Sequence, residues 1–183
     1  MEKFLPEKYA EIGNRAYREG DFQEAERAFA ESAVGFSEQG DVLRAAEMAN
    51  NRSVVLLKAG RPQEALEAAQ GTDVVFKTNG DVQRQAMAIG NQAAAMEALD
   101  QRDQALTNYQ QCADLLAEIG DHELRVSVMQ SISALQMRSG RHMEAVATMQ
   151  DGLTNLDKPN LRQRILKKLL SIPINFLSRN KPS

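Results

Sequence analysis

The chain has 183 residues, of which 43% are hydrophobic, 26% charged and 5% aromatic, with no Trp, one Cys and a formal net charge of −3. That apolar content excludes a disordered chain, the scarcity of aromatics argues against a β-rich core, and a lone Cys112 excludes an internal disulfide or a multi-cysteine metal site. Charge is uneven: residues 158–183 hold seven of the 22 basic side chains and none of the 25 acidic ones, which leaves −10 on the first 157 residues and joins an acidic body to a basic end.

In chain order, Met1–Glu7 has no apolar core of the kind a signal peptide needs, and no later stretch reaches the length of a membrane span. With a single thiol suited to a reducing compartment, this predicts a soluble cytoplasmic protein. Helix-breaking pairs then recur every twenty residues, at Gly20-Asp21, Gly40-Asp41, Gly60-Arg61-Pro62, Gly80-Asp81, Gly120-Asp121 and Gly140-Arg141. Asp100-Gln101-Arg102-Asp103 fills the one gap with turn-compatible residues but no glycine. The stretches between, about eighteen residues each and rich in Ala, Glu, Gln, Leu and Arg, read as equal helices about 27 Å long. Gly past a helix end takes the left-handed conformation cheaply, and the Asp beside it caps the next helix. Asp21 with Glu24 has capping-box spacing, and Pro62 suits a first helical turn. Pro159 opens a last helix over 159–172, with Leu161, Ile165, Leu169 and Ile172 on one stripe. Pro173 ends it, and 173–183 reads as a loose tail.

Folded at forty residues, the sequence aligns in four copies without insertions. Some columns hold only small residues: Gly13, Ser53, Ala93, Ser133; then Ala25, Ala65, Ala105, Ala145; then Ser32, Thr72, Cys112, Gly152. Another holds large apolar ones, Phe36, Phe76, Leu116 and Leu156. Small facing residues let two antiparallel helices approach closely, and a large residue plugs the wider end. Copies over about 2–39, 41–79, 81–119 and 121–157, with the cap over 159–172, make a solenoid in which each hairpin stacks on the next.

Gly13-Asn14, Ala16-Tyr17, Gly20-Asp21, Glu24-Ala25 and Phe29 resemble the tetratricopeptide repeat, and the Glu-Ala pair returns at Glu64-Ala65 and Glu144-Ala145. The forty-residue form is similar to that of kinesin light chains, Pins-type polarity adaptors and many bacterial regulatory proteins. The resemblance covers about residues 6–156. It implies an all-α, right-handed superhelical solenoid whose first helices line a concave groove and whose second helices form the back.

Carried over, that groove takes Asn14, Tyr17 and Arg18 from the first copy and Asn50, Asn51, Leu57 and Lys58 from the second. It takes Asn91 from the third, and Met137 and Arg138 from the fourth. A row of Asn side chains holds an extended backbone without reading its sequence; the alternative is that Asn51 and Asn91 bond to neighbouring helices. The resemblance to carboxylate-clamp adaptors fails where Ala10 and Met87 replace the cations they need. Glu47, Met87 and Ser127 stand where polarity adaptors have Arg. A neutral or basic segment with apolar anchors therefore fits better than an acidic one.

No catalytic constellation, phosphate loop or metal-ligand spacing is present, so the reading is non-catalytic and calls for no cofactor. His122 and His142 sit beside helix starts as ordinary surface residues. Cys112 lies in a packing column without flanking cations, which suits a buried small hydrophobe. Met129 and Met149 fall in packing columns, while Met137 and Met143 share their repeat. Arg162, Arg164, Lys167 and Lys168 read as the solvated face of the cap. A second reading places them, with Ile174, Phe176 and Leu177, on an anionic membrane surface; the acidic body and missing recognition motifs argue against nucleic acid. The expected function is a scaffold or adaptor for a protein or peptide segment. The alternatives are a protein that assembles with itself through the array ends, and an accessory subunit of an enzyme.

Overall fold

Residues 5–154 are described by the structure, a computed structural model. The expected cap, tail and basic cluster (Arg162, Arg164, Lys167, Lys168) lie outside the described residues. Within them every regular element is an α-helix: α1 Pro6–Glu19, α2 Phe22–Glu38, α3 Val42–Lys58, α4 Pro62–Ala69, α5 Thr72–Thr78, α6 Val82–Ala98, α7 Arg102–Glu118, α8 His122–Arg138 and α9 His142–Thr154. The chain divides into two units, Met1–Ile119 and Gly120–Ser183.

The turns form for the expected reasons. Asp100 has φ 60°, the only non-glycine with positive φ among the described residues, so an aspartate takes the left-handed turn position that glycine fills elsewhere. The carboxylates of Asp21, Asp41, Asp81 and Asp121 each accept the backbone N–H three residues on, which satisfies an orphan donor of the next helix. Pro62 stands in the first turn of α4. The capping box closes on one side only: Glu24 turns away to take both guanidinium bonds of Arg27, at 3.0 and 2.8 Å.

One element departs from the equal-helix pattern. The stretch 62–78 is two helices, α4 and α5, separated where Gln70 is extended (ψ 126°) and Gly71 is left-handed (φ 78°). The freed Ala69 carbonyl accepts from Thr72 Oγ1 at 2.7 Å and from Gln92 Nε2 of α6 at 3.0 Å. Two side chains thus replace the lost helical hydrogen bond.

In the first unit α1 packs on α2, α2 on α3, α3 on α4, α6 on both α4 and α5, and α7 on α6. The small columns mark the closest approaches. Ala25, Ala65 and Ala105 are completely buried, as are Ser32 and Ala93. Ser32 donates to the Pro6 carbonyl at 2.7 Å, so the small polar residue also ties α2 to the start of α1. A Cβ on Gly13 would stand 2.8 Å from the ring of Phe29. The core is a chain of small clusters: Ala16, Ala25, Phe29, Phe36, Met48 and Val55; Ala46, Phe76 and Ala88; Leu56, Ala65 and Ala95.

The second unit repeats the hairpin in α8 and α9. Ser133 Oγ donates to the Ala145 carbonyl at 2.9 Å, and Arg125 reaches the Asp151 carboxylate at 2.5 Å. Gly152 passes against Met129, where an added Cβ would meet Met129 Cβ at 2.9 Å. The small column holds here for the same steric reason.

Candidate functional site

Ion pairs join the three first helices of the Met1–Ile119 unit. Arg44 of α3 bonds Glu7 of α1 at 2.9 Å, and Arg84 of α6 reaches Glu47 of α3 at 3.3 Å. Each arginine is also held in its own first turn, Arg44 by Asp41 and Arg84 by Asp81. Arg44 lies over the Phe36 ring as well, 4.3 Å from its centroid. The Arg44 N–H, and then its guanidinium, keep the Asp41 carboxyl below its usual range, and the Asp41 bond raises Arg44 in return. These half-exposed pairs contribute little stability singly. Their use is register, because each joins one first helix to the next.

The pairs mark a face. From Glu7, steps of four, three and four reach Glu11, Asn14 and Arg18. From Glu47 they reach Asn51, Val54 and Lys58, and from Met87 they reach Asn91, Ala94 and Ala98. Such spacing puts each set on one side of its helix. None of these twelve side chains is buried.

The expected site residues fall into four groups. Asn14, Asn51 and Lys58 make no side-chain hydrogen bond or ion pair with any described residue, and Asn51 is half-buried. Asn50 and Asn91 bond each other: Asn91 Nδ2 donates to Asn50 Oδ1 at 3.0 Å, and Asn50 is buried at 6% exposure. That is the neighbouring-helix bond which the alternative reading of Asn91 describes. Tyr17 leans on Phe22 with ring centroids 6.1 Å apart, Leu57 packs against the cluster of Leu56, Ala65 and Ala95, and Arg18 is exposed. Met137 and Arg138 belong to the second unit, both exposed, with Met137 Sδ 3.5 Å from His142 Nδ1. The face of the first unit therefore combines two amides that no described residue engages, one clamped amide and small apolar residues, with the carboxylates Glu7 and Glu47 paired and Glu11 exposed.

Cys112 is buried at 2% exposure, and burial pushes its thiol up to about 11. It faces the backbone of Gly90, where an added Cβ would lie 3.3 Å from the sulfur. Met129 is buried and Met149 half-buried, whereas Met143 is exposed. No helix among the described residues is long and apolar enough to cross a membrane.

Sequence reasoning missed a cavity of about 390 Å³ beside the α4–α5 break, lined by Leu66, Val74, Met96, Glu67, Asp73 and Gln92 among others. The isolated Gln70-Gly71 was its only sequence signal.

No family model matches the chain, and no curated protein matches it in sequence. Its fold is similar to the crystal structure of a Podosopora anserina protein with nearly identical TPR-like repeats, named after kinesin light chain. The match has 14% identity and a TM-score of 0.73, and covers 93% of this chain and 87% of that one. The fold is a tetratricopeptide-like repeat. The crystal structure of MamA also matches, at 18% identity and a TM-score of 0.49, over 82% of this chain and 91% of that one. The first of these matches shares the fold at only 14% identity.

Proposed function

We propose that the protein is a non-catalytic scaffold that holds an extended segment of a protein partner on the first-helix face of its Met1–Ile119 unit. The observation that carries this reading is Asn51. It is a half-buried amide at the middle of the central helix of the row, with donors and acceptors that no described residue uses. A partly desolvated amide without a partner gains from a ligand that supplies one, and a peptide backbone offers both halves. Asn14 extends the same chemistry to α1. On α6 the bond to Asn50 fixes the Asn91 amide, which keeps capacity for a further contact. Val54, Ala94 and Met87 supply apolar area and Arg18 and Lys58 supply positive charge, while Glu7 and Glu47 are paired and exposed Glu11 offsets part of that charge, so the face has no strong field of one sign. The occupant is a neutral or mildly basic segment with small apolar anchors. A reducing cytoplasm suits the single buried thiol.

The test begins with affinity capture from the native lysate, with the bound segment mapped by mass spectrometry and measured by calorimetry. Asn14→Ala with Asn51→Ala should weaken binding by about 1–3 kcal/mol, roughly one net hydrogen bond per site, and leave the unfolding midpoint unchanged. A captured partner that binds the double variant as tightly as the parent refutes the reading. Recovery of this chain alone, as a stable oligomer, would favour self-assembly instead.

A further inference from the structure

We propose that the cavity at the α4–α5 break is a second recognition site, which takes an arginine side chain presented by a protein partner. Gln92 and Met96, on its α6 wall, lie across that helix from the stripe of Met87, Asn91, Ala94 and Ala98 at 3.6 residues per turn. The cavity is therefore separate from the first-helix face and does not rest on the function proposed for it.

The argument compares one repeat with the next. Leu66 and Gln92 line this cavity. Forty residues earlier the same two positions are Glu26 and Arg52, and there they form an ion pair at 2.6 Å that joins α2 to α3. In the second repeat the guanidinium is gone, replaced by a neutral amide, and the carboxylate is replaced by Leu66. Acidic groups appear around the space instead: Glu67 stands where Arg27 stands earlier, and Asp73 where Ala33 does. No Lys or Arg is among the residues that line the cavity. Glu67 accepts from Gln63 at 3.0 Å and Asp73 from Gln92 at 2.9 Å. These are neutral donors, and each carboxylate retains acceptor capacity.

Leu66, Val74 and Met96 give the space apolar walls. The helix break adds the carboxyl end of α4, where helical carbonyls carry partial negative charge. Apolar walls with two carboxylates and no cation match an arginine side chain, whose stem is apolar and whose flat head bonds carboxylates. The volume of about 390 Å³ is at the lower end for a ligand pocket and ample for one such side chain. A partner's arginine would then occupy the place that Arg52 fills within this chain one repeat earlier.

Two capped pentapeptides test this, Ala-Ala-Arg-Ala-Ala and its norleucine counterpart, titrated into the full-length protein and followed by NMR. The arginine peptide should move the Gly71 amide, the Gln92 side-chain amide and the Met96 methyl signals saturably, and bind more tightly than the norleucine one. Glu67→Gln with Asp73→Asn, which keeps an acceptor for Gln92, should weaken the arginine peptide roughly three- to tenfold, two partly exposed charge pairs' worth. Asn51→Ala should leave it unchanged. The proposal is overturned if the norleucine peptide binds equally well, if those three signals do not move, or if the folded double variant binds as the parent does.

Discussion

Gly13→Ala puts the packing columns at risk most directly. Glycine inside a helix normally loses about 0.8–1.0 kcal/mol relative to alanine, so on local grounds the change should stabilise α1. The tertiary structure reverses the sign. The new Cβ would sit 2.8 Å from two carbons of the Phe29 ring and 3.1 Å from a third. Carbon contacts are comfortable at about 3.5–4.0 Å, so the ring would have to retreat by about 0.7 Å. Phe29 is 2% exposed and packed among Ala25, Phe36 and Met48, and it has no open side to retreat into. Overpacking of this kind costs about 1–3 kcal/mol, which leaves a net loss of about 1 kcal/mol. Gly90→Ala is the matched control. It has the same propensity gain, but its Cβ meets only the Cys112 sulfur, at 3.3 Å, and a net gain of about 0.5 kcal/mol is expected. Urea titrations followed by circular dichroism would measure both. Truncating the obstructing ring in Gly13→Ala/Phe29→Leu should recover part of the loss as a coupling energy. If Gly13→Ala stabilises the protein as much as Gly90→Ala does, the close approach of α1 and α2 is not what holds Gly13 in its column.

Ala65→Leu and Ala105→Leu should each cost about 1–3 kcal/mol, and the same change at exposed Gln63 should stay within about 0.5 kcal/mol of neutral; equal effects in urea titrations at all three sites would contradict the register. Gly71→Ala should destabilise by about 1–2 kcal/mol because φ is 78° there, with Gly71→Asn milder; a stabilised alanine variant would show that the α4–α5 break is not needed. Cys112, with its thiol raised to about 11, should react with a disulfide reagent at pH 8 far more slowly in the native protein than in denaturant. Equal rates would place the sulfur at the surface.

The sequence by itself determined what is settled within a few residues of backbone. Turn positions and aspartate caps follow from local conformational preference, whereas the structure adds that Asp100 takes the left-handed position. The small columns were legible too, because a forty-residue period shows each one several times over. The tertiary structure decided what depends on partners distant in the chain. A glycine inside a helical pattern usually costs a little and bends nothing, so Gly71 alone could not announce a break. What sustains the break is Gln92, reaching from α6 to the Ala69 carbonyl, together with Thr72. The site divides in the same way. Periodicity named the inward positions of each first helix, but not which amides were already engaged. The Asn50–Asn91 bond and the pairs of Glu7 with Arg44 and Glu47 with Arg84 span 41 and 37 residues. Only packing, which sets the distance between successive helices, brings those groups within bonding range and leaves the Asn51 side chain without a partner among the described residues.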